Sequence, residues 1–300
     1  LFRSVPAVII FMKENMNTKV RGRKDLENLS IPFIGEIPQY LSAKKKLGFD
    51  KHTQSVMKAI VVKEGNRNII NEAFRVLRSN IDFMAGKDSG QNVFMLTSFN
   101  PGSGKSFLAM NIAMSFAIKK KRILVIDGDL RHGSTSSYVD SPKTGLSDYL
   151  GNRVSDWKEI IVKDEKYDNL HIIPIGTVPP NPTELLEDGK LATLIEVLRS
   201  EYDYIFIDCP PIDIVADAQI IEKLADRTVF VVRSGLLDRS MLPELENIYQ
   251  EKRFKNLSVI LNGTESAGGR YGYRYGYRNG YSSYYGNKGK MGGGKWMVIK

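Results

Sequence analysis

A glycine-rich segment at residues 98–106 (SFNPGSGKS) stands between an apolar run and a helix-compatible run. Glycines let backbone N–H groups converge on phosphate oxygens, and the N-terminus of a following helix adds a favourable dipole. In such a phosphate-binding loop, Lys105 reaches the terminal phosphates and the Ser106 hydroxyl binds Mg²⁺. The segment therefore predicts a site for a nucleoside triphosphate, although Phe99 stands where the usual pattern has its first glycine.

Three carboxylates follow two other apolar runs. Asp127 and Asp129 come at the end of residues 122–127, and Asp208 ends residues 203–208. Ligands of an open parallel sheet bind at the carboxyl ends of the strands, so these side chains should meet the phosphate-binding loop. Carboxylates bind Mg²⁺, often through water, and one of them can accept a proton from an attacking hydroxyl. A single aspartate at a strand end is often only a helix cap, but three beside such a loop favour a site.

The pattern of apolar residues predicts how these groups are positioned. Continuous apolar runs indicate strands that are buried on both faces, hence a parallel sheet covered by helices on each side. The predicted fold is a three-layer α/β fold with a mostly parallel sheet. The predicted strands are 93–98, 122–127, 170–175, 203–208, 228–233 and 257–262. The predicted helices are 66–84, 105–119, 144–151, 184–199, 217–225 and 240–251.

Composition narrows the function classes. The chain has 300 residues, 42% of them hydrophobic, with a single cysteine, Cys209, which excludes an internal disulfide framework. The formal net charge of +9 is concentrated at the two ends of the chain. Basic ends favour contact with an anionic surface, either membrane or nucleic acid, and their simplest alternative is solubility.

The first 65 residues divide into two parts. Residues 1–12 (LFRSVPAVIIFM) are mostly apolar and precede a basic cluster. This order is typical of the cytoplasmic end of a transmembrane helix, and the alternative is a short amphipathic or buried segment. Residues 13–65 are charged, and we expect a juxtamembrane linker there that packs partly on the core.

Residues 264–295 are rich in glycine, tyrosine and arginine and have almost no aliphatic residues, so we expect residues 264–300 to form a flexible tail. Half of the 14 tyrosines lie within it. They could accept phosphate, bind nucleic acid by stacking, or form a low-complexity segment without either role. They are Tyr271, Tyr273, Tyr275, Tyr277, Tyr281, Tyr284 and Tyr285.

Several ordered motifs together resemble the bacterial tyrosine kinases, the cytoplasmic kinase domains that accompany capsular and exopolysaccharide export. Residues 97–106 resemble the Walker A motif of this family, 123–131 its Walker A′ motif, and 205–211 its Walker B motif. Residues 72–81 resemble its oligomerisation helix, and 180–186 resemble a further family segment. The resemblance covers roughly residues 66–285.

The resemblance implies a P-loop tyrosine kinase domain at residues 66–263, in the ParA/MinD-like group of P-loop NTPases. It implies ATP and Mg²⁺ as cofactors, and autophosphorylation in trans of the tyrosine cluster within a head-to-tail homo-oligomeric ring. Its implied partners are an N-terminal transmembrane sensor region, a cognate low-molecular-weight tyrosine phosphatase and the polysaccharide export machinery. The location would be the cytoplasmic face of the bacterial inner membrane.

Site residues follow motif by motif. We expect Lys105, Asp127, Asp129 and Asp208 to act in catalysis, with Asp127 accepting the tyrosine proton unless it exchanges roles with Asp129. Ser106, Asp129 and Asp208 would bind Mg²⁺. Glu72, Arg75 and Arg78 would form the subunit interface. The nucleotide-binding residues would be Pro101, Gly102, Ser103, Gly104, Lys105, Ser106, Phe107 and Asn262, the last as a candidate adenine contact.

Two rival functions remain open from the residues. A ParA/MinD-like ATPase switch would use the same loop, but such proteins typically carry a further lysine early in the loop, where this chain has Phe99 and Asn100. A nucleic-acid-binding protein would use the basic, tyrosine-rich tail, although we expect no nucleic-acid partner. The signatures of eukaryotic kinases, H-R-D and D-F-G, do not occur in the chain.

Overall fold

A computed structural model describes residues 18–40, 59–86, 90–212 and 216–265, all within one compact unit. Its centre is an eight-stranded sheet with the strand order β1-β8-β7-β2-β6-β3-β5-β4. All neighbouring strands are parallel except β4 and β5, which are antiparallel. The strands are β1 (Phe33–Pro38), β2 (Val93–Thr97), β3 (Ile123–Asp127), β4 (Val162–Lys163), β5 (Leu170–Ile173), β6 (Tyr204–Asp208), β7 (Arg227–Arg233) and β8 (Ser258–Thr264).

Helices cover both faces of this sheet, which confirms the predicted three-layer α/β fold. The α-helices are α1 (Ile69–Ala85), α2 (Lys105–Ala117), α3 (Leu146–Leu150), α4 (Pro182–Glu187), α5 (Lys190–Glu201), α6 (Asp217–Glu222) and α7 (Leu242–Gln250). Every residue of β2, β3 and β6 is buried, because helices pack on both sides of these central strands. Two separate apolar clusters result, one on each face of the sheet.

Each of the six predicted strands corresponds to an observed one, but β1 and β4 were not predicted. β1 lies within the stretch expected to be a linker, and it pairs with β8 at the edge of the sheet. The predicted helix 184–199 is wrong as one element, because it consists of α4 and α5. Between them Gly189 adopts a φ of +79°, which a continuous right-handed helix does not allow.

Helix α1 begins at Ile69, three residues later than the predicted helix 66–84. Asn68 occupies its N-cap position, and the Asn68 side chain accepts a hydrogen bond from the backbone N–H of Asn71 at 2.9 Å. The cap satisfies one of the N–H groups that the first helical turn leaves without a partner. The buried face of α1, including Phe74, Leu77 and Ile81, packs in the same apolar cluster as α2.

Some predictions lie outside the described residues. They are the transmembrane character of residues 1–12, the expected flexibility of the tail beyond residue 265, and the seven tyrosines. Among the helices that the structure does describe, none combines the length and apolar character required to cross a bilayer.

Candidate nucleotide and phosphotransfer site

The glycine-rich loop connects β2 to α2 as the sequence predicts. Gly104 is the N-cap of α2 with a φ of +89°, and no side chain caps this helix end. Its first-turn N–H groups are therefore available to an anion. Phe99, which stands in place of the usual first glycine, is 3% exposed and its ring packs edge-on against Phe230 at 4.8 Å. An aromatic anchor in the core thus holds the start of the loop.

Lys105 lies at the first position of α2 and is nearly buried, with 9% of its surface exposed. Its Nζ lies 3.2 Å from the Oγ of Ser98. Burial lowers the pKa of Lys105, and the charges of Asp208 and Asp129 oppose that shift. These carboxylates therefore stabilise the charged form of Lys105, and a bound phosphate group would stabilise it further.

Asn262, on β8, contacts the glycine-rich loop. Its side-chain Nδ2 donates a hydrogen bond to the carbonyl oxygen of Ser103 at 2.8 Å, and the residue is 1% exposed. A Cβ atom on Gly104 would collide with this amide group, so glycine is required there by contact as well as by φ. In this structure Asn262 holds the loop, and its expected contact with adenine stays a prediction.

Phe107, also expected at the nucleotide, has a buried ring. It packs edge-on against Phe74 of α1, with 6.0 Å between the ring centroids. Its side chain therefore belongs to the core between α1 and α2, which leaves its backbone N–H as the group that a nucleotide could contact.

Asp127 and Asp208 lie side by side at the carboxyl ends of β3 and β6, where they are paired in the register of the two strands. Both are almost completely buried, and the Oδ1 atom of each has no hydrogen-bond partner among the described residues. Buried polar atoms are rarely left unpaired, so two such oxygens at one strand edge indicate a place for a ligand.

The other carboxylate oxygens of this pair are held by hydroxyl groups. Asp127 Oδ2 accepts hydrogen bonds from the backbone N–H and the hydroxyl of Ser136, at 2.6 and 2.7 Å. Asp208 Oδ2 accepts one from the Thr135 hydroxyl at 2.7 Å. The sequence pattern did not point to Thr135 and Ser136. Their only signal is a run of four hydroxyl residues, Ser134 to Ser137, soon after Asp129.

Burial has the largest effect on the pKa values of Asp127 and Asp208. It raises the pKa of Asp127 to about 8, and the neighbouring charge of Asp208 adds to the shift while Ser136 opposes it. Burial also raises the pKa of Asp208, against the opposing effects of Lys105 and the nearby Ser106 and Thr135 hydroxyls. A carboxylate with a pKa near neutrality is well suited to take up and release a proton.

Asp129 is 8% exposed and lies in the loop after β3. Its Oδ1 accepts backbone hydrogen bonds from Arg131 and His132 at 3.2 and 3.3 Å. The His132 ring contacts it as well, with Nδ1 3.1 Å from Oδ2. This carboxylate therefore closes a tight local turn, and its expected part in binding Mg²⁺ stays a prediction.

Arg131 fixes the same loop from outside. Its Nε lies 3.2 Å from Oδ2 of Asp217, which is fully buried at the start of α6. Thr183 of α4 completes the cluster, because its hydroxyl donates to Asp217 at 2.7 Å and accepts from Arg131 at 3.0 Å. Two sequence segments that were singled out separately, residues 123–131 and 180–186, thus meet through one ionic cluster.

The residues present fit a Mg²⁺ ion that is shared with a nucleotide. Within the described ranges, no group of three or more histidine, cysteine or acidic side chains could hold a metal without help. Mg²⁺ usually takes one or two carboxylates and completes its shell with water and substrate phosphates. The unpaired oxygen of Asp208, beside Ser106 and the loop, is the donor expected of such a site.

Comparisons with known proteins agree with this arrangement. A family model described as "AAA domain" matches residues 91–234. The putative tyrosine-protein kinase CapB of Staphylococcus aureus is 32% identical over 210 residues, which cover 70% of this chain and 91% of that protein. The tyrosine-protein kinase CpsD of Streptococcus pneumoniae is 34% identical over 221 residues, covering 73% and 92%. The chain belongs to the bacterial tyrosine kinase family.

Solved structures of the family have the same fold. The kinase domain of the Escherichia coli tyrosine kinase ETK superposes with a TM-score of 0.69 at 27% identity, covering 86% of this chain and all of that one. A putative tyrosine-protein kinase in the cps region of Klebsiella pneumoniae is 33% identical over 279 residues, but the match spans 37% of its length. The enzyme class predicted from the sequence, a protein-tyrosine kinase, is confirmed.

The expected interface residues of the family helix lie on α1. Arg75 contacts Glu72 and donates a hydrogen bond to the carbonyl oxygen of Asn66 at 2.8 Å. Arg78 donates one to the carbonyl oxygen of Ser115 on α2, also at 2.8 Å, and burial lowers its pKa. These side chains are thus partly engaged within the chain, and their role between subunits stays a prediction.

Proposed function

We propose that this chain is an autokinase that transfers the γ-phosphoryl group of ATP to tyrosines of the 271–285 cluster on a neighbouring copy. The observation that carries the proposal is the buried pair Asp127 and Asp208, whose unpaired oxygens lie at the carboxyl edge of the sheet with Lys105 nearby. Family membership supports the reaction class.

Each residue has a definite part in the proposed transfer. Lys105 and the first-turn N–H groups of α2 bind and orient the phosphates. Asp127 accepts the proton of the tyrosine hydroxyl while its oxygen forms the new bond to the γ-phosphorus. The bond from that phosphorus to the bridging oxygen breaks, and its electron pair leaves with ADP. Mg²⁺, held by Ser106 with Asp129 and Asp208, would neutralise the charge of the phosphates.

Transfer between copies needs an assembly, and α1 offers a surface for it. Three apolar side chains on its exposed face repeat every seven residues: Ile69, Val76 and Phe83, which are 53%, 57% and 88% exposed. Residues seven apart lie close to one stripe of a helix, as in coiled-coil contacts. We propose that this stripe, with Glu72 and Arg75 beside it, forms the contact of a head-to-tail ring.

The cellular setting follows from the relatives as a proposal. One relative is named for the cps region of its organism, and several others carry capsule-type names. We place the chain at the cytoplasmic face of the bacterial inner membrane, joined to a transmembrane sensor region and acting on the polysaccharide export machinery. A cognate low-molecular-weight tyrosine phosphatase would remove the phosphates.

Mass spectrometry after incubation with ATP and Mg²⁺ tests the reaction. We expect phosphate on the cluster Tyr271–Tyr285 in the active chain and none in a Lys105→Met control. To test transfer between copies, the Lys105→Met variant with an intact cluster is mixed with an active variant whose seven cluster tyrosines are phenylalanine. Phosphate on the Lys105→Met chain would support transfer in trans.

Two outcomes would contradict the proposal. ATP hydrolysis without phosphotyrosine would move the chain to the class of ATPase switches. Phosphorylation of the active chain that does not depend on its concentration, with no phosphate on the Lys105→Met chain in the mixture, would show transfer within one copy.

The ring is tested separately by self-association. Phe83→Ser should weaken self-association in analytical ultracentrifugation, whereas the same change at the exposed Val197 on α5 serves as the matched control.

A further inference from the structure

A cavity lies at the amino ends of the parallel strands, whereas the nucleotide site lies at their carboxyl ends. It is an open cavity of about 650 Å³, a size typical of small-molecule sites. Its lining comes from residues that precede β3, β5 and β6, such as Arg122, Asn169 and Tyr202, and from the segment 157–163. Because parallel strands begin there, the cavity shares no lining residue with the phosphate-binding loop.

The cavity carries an excess of positive charge. Four cationic side chains line it, against the carboxylates of Asp168 and Glu201. Arg122 is engaged with Asp203, with 3.6 Å between Nη2 and Oδ1. The other cations, Lys120, Lys158 and Lys163, form no ion pair with any residue that the structure describes. These lysines could therefore bind an anionic group without breaking an existing pair.

Its walls are aromatic and firmly held. Tyr202 is buried, and its hydroxyl lies 2.7 Å from Nδ1 of His171. The other ring nitrogen of His171 lies 3.0 Å from the carbonyl oxygen of Asp168. Trp157 is half-buried and has the ammonium of Lys158 5.6 Å from its ring centroid. An aromatic ring of a ligand can contact the partly exposed Trp157 while its anionic end meets the lysines.

Asn169 keeps the cavity at a defined place in the fold. Its side-chain amide donates hydrogen bonds to the carbonyl oxygens of Ala117 and Lys121, at 2.9 and 2.6 Å. These bonds join the end of α2 to the start of β5, so Lys120 and His171 stand on connected backbone. The cationic and aromatic groups are thus presented by the fold rather than by an isolated loop.

The geometry points to a docking site for phosphotyrosine, specifically for phosphorylated tyrosines of the 271–285 segment of this chain. Phosphotyrosine combines an aromatic ring with a phosphate of about −1.5 to −2 charge, which matches aromatic walls beside unpaired lysines. The segment is basic before phosphorylation, with two arginines, Arg274 and Arg278, and no acidic residue, so docking would follow phosphorylation and not precede it. The identity of the ligand rests on the proposed autokinase function, whereas the cavity does not.

A synthetic peptide of residues 270–285 with phosphotyrosine at the seven positions tests this site directly, without ATP. Binding is followed by the fluorescence of Trp157 in a Trp296→Phe background, since these are the two tryptophans of the chain. We expect saturable binding that weakens at least about tenfold in Lys158→Ala/Lys163→Ala, because each lost charge-assisted hydrogen bond costs about that factor. The matched control Lys143→Ala/Lys223→Ala removes two exposed lysines elsewhere and should bind as the parent does.

Several results would overturn the site. They are equal binding of the unphosphorylated peptide, equal competition by inorganic phosphate or a phosphoserine peptide, equal weakening in the control variant, and tighter binding of single-stranded DNA. Because the phosphopeptide is supplied ready-made, the result is independent of autophosphorylation. Binding without autokinase activity would leave the site standing and refute the proposed function, and the reverse result would refute the site alone.

Discussion

The two edges of the parallel sheet place charged side chains in opposite ways. At the carboxyl edge, Lys105, Asp127 and Asp208 are buried, and one oxygen of each aspartate has no hydrogen-bond partner in the part of the chain that the structure describes. At the amino edge, Lys158 and Lys163 are exposed and the cavity is open. Burial strengthens electrostatic interactions and shifts pKa values, whereas exposed charges are screened by solvent. The first arrangement suits chemistry, and the second suits reversible binding.

Among the substitutions that test this comparison, we expect the largest effect on activity from Lys105→Met. Replacement by Met removes the only buried cation among the described residues of the carboxyl edge, so phosphotransfer should fall by at least about 10²–10³-fold. The measurement is the rate of phosphotyrosine formation, with circular dichroism to verify the fold. A variant with near-parental rate would show that this edge does not bind phosphates through Lys105.

Asp127→Asn tests whether the buried carboxylate trades stability for activity. Its pKa of about 8 lies above the ordinary aspartate value of 3.8, so the folded chain holds this proton more tightly than the unfolded chain does. The contribution of this proton to the stability of the fold is therefore fully present below about pH 4 and is lost as the pH rises toward about 8. Asparagine stays neutral, so we expect the variant to be about 0.5–2 kcal/mol more stable at alkaline pH and to lose transfer activity.

Denaturant unfolding at pH 6 and pH 8.5 measures this effect. The gain in the free energy of unfolding should be larger at the higher pH, where more of the parental carboxyl is ionised. Activity of the parent should rise with pH toward about 8, since the proton acceptor must be ionised. An equal gain at both pH values would show that ionisation of Asp127 is not the cause.

Gly104→Ala should be destabilising on the same edge by about 1–3 kcal/mol, because φ is +89° and the new Cβ would collide with Asn262. Asn262→Gly makes room for that Cβ but does not relieve the φ, so the double variant should recover only part of the loss. Thermal unfolding of the four proteins separates the two contributions. Full recovery in the double variant would assign the whole effect to the collision.

The smallest effect is expected at the amino edge. Lys158→Ala/Lys163→Ala should change the free energy of unfolding by no more than about 0.5 kcal/mol per residue, because both side chains are exposed and neither forms an ion pair with a described residue. Binding of ATP, measured by equilibrium titration, should be unchanged. A marked loss of stability would mean that these lysines support the fold, and the contrast between the edges would weaken.

The sequence pattern predicted the core strands and the aspartates at their ends, because continuous apolar runs identify strands buried on both faces. It missed β1, whose burial alternates irregularly and whose partner β8 lies more than 200 residues away. It also missed Thr135 and Ser136, since hydroxyl residues in a loop carry no periodic signal. Their contacts with Asp208 and Asp127 depend on how the loop folds back.

The sequence by itself determined the phosphate-binding loop, the three carboxylates and the family, because each depends on residue types at short, ordered spacings. Only the tertiary structure decided that Asp127 and Asp208 are neighbours with unpaired oxygens, that Asn262 secures the loop from β8, and that a cationic cavity forms at the other edge. These features join residues that are distant along the chain. Strand order and packing, rather than local pattern, bring them together.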